Sequence, residues 1–228
     1  MTPLVLLPGH MCDGRQWGPQ VAAFSASRTI VLARTDADSV AAIAAEVLAD
    51  APPRFALAGL SMGGIVAMEV VRQAPHRVER LALLDTNPLP EAEVVKEQRR
   101  QRMARVAAGR LAEVMRDEMK PLYLADGPGK GALLDLCLDM ALALGPETFA
   151  RQSRALMDRP DQQATLAAYE RPVLLLQGAE DRLVPTARHD LMASLVPHAV
   201  RVTVPGAGHL PPLERPDETN TALAAWLA

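Results

Sequence analysis

The sequence predicts an α/β protein built on one doubly wound sheet of about six strands, and three observations predict it. Six short apolar runs recur along the 228 residues. Most of them are continuous rather than alternating, the pattern of parallel strands covered on both faces. Helical patterns lie between several of the runs, and strand, helix, strand repetition favours parallel strands joined by right-handed crossovers.

Leu4 to Leu7 is the first run, and it stops at Pro8-Gly9. Gln16 to Phe24 has helical spacing, with Trp17 expected to pack it, and leads to the second run, Thr29 to Leu32. Val40 to Ala49 is the next helix, before the strand Phe55 to Ala58. Met62 to Gln73 then returns the chain to Leu81 to Leu84. Near the end, Val173 to Leu176 and Val200 to Val204 flank the helix Ala187 to Leu195, and Asp217 to Leu227 closes the chain.

One interval breaks the alternation. Between Asn87 and about Glu170 no strand candidate occurs, while Val94, Val95, Met103, Val106, Leu111, Val114, Met115 and Met119 recur at helical spacing. Leu89-Pro90-Glu91 suits a helix start, and Pro121, Gly127-Pro128-Gly129 and Gly145-Pro146 punctuate the rest of the interval. Residues 1–86 and 170–228 are therefore expected to form the core, and residues 87–169 an inserted helical cap of three to five helices. The cap opens with Lys96, Arg99, Arg100, Arg102 and Arg105 among Glu91, Glu93 and Glu97, which reads as a solvated face or as a guide for an anionic substrate.

Composition narrows the function. Lys and Arg number 24 against 27 Asp and Glu, a formal charge of −3 that gives no general attraction to nucleic acid or to an anionic membrane. Cys12 and Cys137 are too few for a disulfide framework and read as free thiols. The opening MTPLVLLPGH has no basic region and breaks at Pro8, so neither a signal peptide nor a membrane span is expected, and a cytoplasmic location is the expectation. No His or Cys pair has metal-ligand spacing. No phosphate-cradling loop follows a strand, so neither metal nor cofactor is expected.

The chemistry starts at LAGLSMGG, Leu57 to Gly64. Gly59, Ser61 and Gly63 form a G-x-S-x-G pattern between a strand and a helix, where small neighbours let the backbone turn sharply and lift a hydroxyl above the sheet. The N–H of Met62 opens that helix and is placed to stabilise a developing oxyanion. Helix capping is the plain alternative for such a serine. A nucleophilic serine needs a base, and the base an orienting carboxylate. Both stand on loops after later strands: Gln177-Gly178-Ala179-Glu180-Asp181 follows one, and Pro205-Gly206-Ala207-Gly208-His209 follows another. Glu180 and Asp85 remain alternatives for the acid. His76, His189 and His198 stand in less suitable places for a base than His209.

With its G-x-S-x-G turn, the G-x-x-D loop holding Asp181, the G-x-G-H loop holding His209 and an early Leu6-Leu7-Pro8-Gly9-His10, the chain resembles the α/β-hydrolase superfamily, in particular its serine carboxylesterases with a small helical cap. The landmarks span nearly the whole sequence. The resemblance implies Ser61 as nucleophile, His209 as base and Asp181 as its orienting acid, with an oxyanion hole from the backbone N–H groups of His10 and Met62. Pro8-Gly9 departs from the His-Gly common in the family, and there is no room for the two strands that usually precede Leu4. A trimmed sheet of six parallel strands is therefore expected.

The expected reaction is hydrolysis of a small or medium carboxylic ester through an acyl-enzyme, without a cofactor. Some relatives with such caps act on methyl esters of carrier-bound acyl groups, an idea that the basic run suits, and the His10 ring is a candidate specificity feature. Acyl transfer or C–C bond hydrolysis by the same residues, and a non-catalytic binding protein, are the competing readings.

Overall fold

A computed structural model describes residues 1–228. Six parallel strands form its sheet: β1 (Leu4–Leu7), β2 (Ile30–Leu32), β3 (Phe55–Leu60), β4 (Val78–Leu84), β5 (Val173–Gly178) and β6 (Val200–Val204), in the spatial order β2-β1-β3-β4-β5-β6. The expected fold is thus observed, and no antiparallel strand accompanies it. Sequence placed the elements better than their ends. Thr29 lies outside β2, whereas β4 begins three residues before Leu81.

Helices cover both faces. Side chains alternate along each strand, so Leu4, Leu6, Ala56, Ala58, Leu84 and Leu176 share one core, packed with Phe24 of α1 (Gly18–Phe24) and Trp226 of α10 (Pro216–Leu227). Val5, Leu7, Leu57, Leu81, Leu83 and Leu175 point the other way, into α2 (Val40–Asp50), α3 (Met62–Gln73) and α8 (Thr186–Leu195). Burial on both sides explains the unbroken apolar runs. The two edge strands are the exceptions: Leu32 of β2 and Val200 of β6 are exposed, and the VRVTV sequence of β6 is mixed. Trp17 is fully buried in a short 3-10 turn, Gly14–Trp17, ahead of α1.

Between β4 and β5 the chain runs through α4 (Glu93–Ala107), α5 (Leu111–Glu113), a π-helical turn at Val114–Met119, a 3-10 turn at Lys120–Leu122, α6 (Lys130–Met157) and α7 (Gln163–Ala167). Leu111, Val114, Met115, Cys137, Met140 and Phe149 of this segment join the same core as α1 and α10. Within α6, Gly145 leaves helical geometry at φ 81°, and Pro146 restarts the helix with its fixed φ, so the Gly-Pro pair works as a joint. The helix suggested at Leu89-Pro90-Glu91 begins at Glu93. Val94 faces solvent at 66 % exposure and only Val106 of α4 is buried, so α4 lacks the apolar stripe expected of it. No helix is long and apolar enough to cross a membrane. The small helix α9 (Pro211–Glu214) completes the set.

Candidate active site

The sheet reverses its winding between β1 and β3, which run side by side up to the pairing of Leu7 with Gly59. In open α/β sheets the crevice beyond the carboxyl ends at such a reversal is the usual place for a site. Two turns leave there. One follows β1 through Pro8-Gly9-His10, and the other follows β3 through Ser61.

Ser61 adopts φ 53° and ψ −114°, a conformation that side chains rarely take. The turn is enforced by close packing. A Cβ on Gly59 would stand 2.2 Å from the Gly63 carbonyl oxygen, and one on Gly63 would stand 2.2 Å from the Leu7 carbonyl oxygen. The Ser61 N–H donates to the Leu84 carbonyl at 2.9 Å, and its own carbonyl accepts from the Thr86 hydroxyl at 2.7 Å. Its side chain makes no capping bond to α3, which removes the plain reading of this serine.

The other turn is held from both sides. Gly9 N–H donates to Gln16 Oε1 at 2.9 Å, and Met11 N–H to Gln152 Oε1 at 2.8 Å. Between them the His10 N–H has no acceptor within the protein, and the same holds for the Met62 N–H at the start of α3. Nothing in the residues around Pro8-Gly9 pointed to Gln16 or Gln152, because one is seven residues from its partner and the other 141.

Asp181 and His209 meet across the carboxyl ends of β5 and β6. His209 Nδ1 lies 2.9 Å from Asp181 Oδ2, while Asp181 Oδ1 accepts the N–H groups of Leu183 at 2.8 Å and Val184 at 3.2 Å. A carboxylate only accepts, so Nδ1 presents its N–H to Asp181, and in the neutral form of the ring the lone pair lies on Nε2. Burial pushes the Asp181 carboxyl up, but the charge and hydrogen bond of His209, with the Leu183 N–H, outweigh it and hold the group below the usual carboxylate range. His209 is itself buried, with its N–H on the Tyr123 carbonyl at 2.7 Å and its ring edge-on to the Tyr123 ring.

Neighbouring candidates behave differently. Glu180 is exposed and makes no side-chain contact with His209. Asp85 is fully buried beside Asp181, and burial followed by the Asp181 charge raises its carboxyl well above the ordinary range. His76 and His198 are exposed, and His189 is buried behind the Asp181 loop. The Glu214 carboxylate escaped sequence reading entirely. It accepts the N–H groups of Ala125 at 2.7 Å, Gly208 at 2.9 Å and Leu210 at 2.9 Å, and so fixes the loop on both sides of His209.

Ser61, Met62, His10, Asp85 and His209 all border one cavity of ≈ 380 Å³. Its far wall is α4, where Val95, Gln98, Arg99 and Arg102 follow i, i+3, i+4, i+7 spacing and present one face to the cavity. That spacing explains why α4 lacks an apolar stripe: the inward stripe is mostly polar. Arg159 and Arg188 add to it. Glu91 pairs with Arg99 at 2.7 Å and with Arg159 at 3.0 Å, and Glu118 pairs with Arg102 at 3.5 Å. Arg188 has no acidic partner. Four guanidinium groups thus face two carboxylates, Glu91 and Glu118, on that wall. The His10 ring, edge-on to Phe149, has no partner on either nitrogen, and burial followed by the charge of Arg99 keeps it neutral.

Fold and site together define an α/β hydrolase. The chain belongs to the alpha/beta hydrolase family, whose model matches residues 4–222. Among its relatives are pimeloyl-[acyl-carrier protein] methyl ester esterases: one from Xanthomonas campestris pv. campestris is 31% identical over 99% of this chain and 83% of its own length. Another, from Xanthomonas oryzae pv. oryzae, is 29% identical over 99% of this chain and 94% of its own length. Among solved structures, a thermophilic esterase from Thermogutta terrifontis superposes with a TM-score of 0.92 at 27% identity, covering 100% of this chain and 89% of its own. An enol-lactonase from Burkholderia xenovorans shares the fold at a TM-score of 0.86 and 21% identity, over 99% of this chain and 91% of its own. With such relatives the protein is a carboxylic ester hydrolase.

Proposed function

We propose that Ser61, His209 and Asp181 carry out ester hydrolysis through an acyl-enzyme. One observation carries this reading: an uncapped serine, held at positive φ, shares a cavity with an imidazole whose other nitrogen is bonded to a carboxylate. His209 Nε2 takes the hydroxyl proton as Ser61 Oγ bonds to the ester carbon. The carbonyl oxygen becomes an oxyanion held by the N–H groups of His10 and Met62. Imidazolium then returns the proton to the departing alkoxide, the C–O bond to it breaks, and a water activated by the same imidazole releases the acid. Asp181 fixes the Nδ1–H tautomer and stabilises the imidazolium.

The cationic wall supports a substrate that is anionic beyond its ester. Methyl esters of acyl groups on an acyl-carrier protein are the class named for the Xanthomonas relatives, and a carrier-bound acyl ester that brings negative charge to the cavity would suit its guanidinium groups. The deciding experiment compares a neutral short-chain methyl ester, a free dicarboxylic monomethyl ester and the same acyl group on a carrier protein. Higher kcat/KM for the anionic substrates, with methanol released, supports the reading. Equal kcat/KM for all three, or transfer of the acyl group to an added alcohol in preference to water, contradicts it.

A further inference from the structure

Beside the Asp181–His209 pair lies a second carboxyl group that the proposed reaction does not use. Asp85 follows β4 directly at φ 43°, its N–H donating to the Leu176 carbonyl at 3.0 Å. One side-chain oxygen, Oδ1, accepts the Gly178 N–H at 3.0 Å, while Oδ2 is buried without any donor. One ligating atom from each of Asp85, Asp181 and His209 lies within 4.8 Å of the others.

Two carboxylates this close and this buried do not both ionise, because like charges in a poorly solvated site repel strongly. The proton has a definite place. Asp181 spends Oδ2 on His209 and is favoured as the anion by that ring and by the N–H groups of its own loop. Asp85 accepts a single N–H and has no ion-pair or hydrogen-bond contact with the His209 ring. The remaining titratable groups nearby do not reverse this balance: the Glu214 carboxylate on α9, bonded to three N–H groups, adds negative charge that further disfavours ionised Asp85, and burial lowers the His189 imidazole on α8.

We propose that Asp85 is a positioning residue, a neutral acid whose O–H donates to the Asp181 carboxylate, leaving the pair with one negative charge aimed at His209. The inference rests on the reading of His209 as the base. It gives the orphan Oδ2 a role as donor and gives Asp181 one more bond that fixes its plane. It also draws charge off Asp181, which weakens that carboxylate's hold on the imidazole proton.

The test pairs D85A with D85N. Asparagine tolerates positive φ, its oxygen can keep the Gly178 bond and its amide can donate where the acid O–H did. D85A is expected to lower kcat roughly 10- to 100-fold with little change in KM, and to move the acid limb of the pH profile upward. D85N is expected to recover most of the lost kcat and to restore the limb. Equal loss in both variants overturns the proposal, and so does full activity in D85A. An independent reading uses protein labelled with carbon-13 at the aspartate carboxyls: one signal, missing in D85N, is expected to stay at the protonated position from about pH 5 to pH 8. A signal that titrates as an ordinary aspartate overturns it. Because this measurement needs no substrate, it separates failure of the Asp85 role from failure of the esterase mechanism.

Discussion

The Glu214 carboxylate reaches the Ala125 N–H at 2.7 Å, tying α9 of the core to the helical segment between β4 and β5. The same carboxylate holds Gly208 and Leu210, so the loop that presents His209 and the segment that roofs it are anchored to one side chain. Charge-assisted bonds to three N–H groups are among the stronger local contacts a fold makes. Glu214→Gln offers one acceptor oxygen instead of two and turns an amide N–H toward a backbone donor. The variant is expected to lose about 2 kcal/mol of stability in urea unfolding and to show a lower kcat with a nitrophenyl ester. Unchanged values for both would deny Glu214 this anchoring role.

Asp181 is expected to act through the His209 tautomer. Asp181→Asn presents an amide that can donate to Nδ1 and so favours the wrong ring form. A fall in kcat of about 1000- to 10000-fold with little change in KM is expected, on the scale seen when the equivalent carboxylate is lost in serine proteases. Steady-state kinetics across pH measures it. Glu180→Gln, on the exposed neighbour, serves as the control.

The sheet was legible in the sequence because β1, β3, β4 and β5 are buried on both faces, which forces continuous apolar runs. The serine turn, the acid loop and the histidine loop were legible because each needs small residues at fixed offsets. What escaped was long-range. Gln152 reaches Met11, Glu214 reaches Ala125, and Asp85 meets Asp181, and no local pattern advertises such pairings. The α4 helix misled for a different reason: its periodic positions face a cavity, so Val95 recurs with Gln98, Arg99 and Arg102 in place of further apolar residues.

His189 makes stability depend on pH. It is buried with Nε2 unpartnered, and burial pulls its imidazole down to about 4. In the unfolded chain it binds a proton near pH ~6.5. Between these two values only the unfolded state is protonated, so this contribution to stability falls as pH falls through the window, by about 3 kcal/mol at most. His189→Gln is expected to flatten the difference between urea unfolding at about pH 7.5 and about pH 4.5 relative to wild type. A wild-type slope retained in the variant would assign the dependence to other groups.

Arg188 is the cavity cation without an acidic partner, so it is the one freest to meet an anionic substrate. Arg188→Glu is expected to raise KM for a dicarboxylic monomethyl ester about tenfold at low salt, with a smaller effect for a neutral ester of the same length. Added salt is expected to narrow the gap. Equal changes for both esters would place Arg188 outside substrate recognition.

The central claim is that Ser61 is a nucleophile activated by His209. Incubation with a fluorophosphonate, with intact mass and peptide mapping as the readout, tests it most directly. One covalent adduct is expected, mapped to Ser61, absent in Ser61→Ala and formed far more slowly in His209→Ala. An adduct that persists in Ser61→Ala, or an unlabelled but folded wild-type protein, would contradict it.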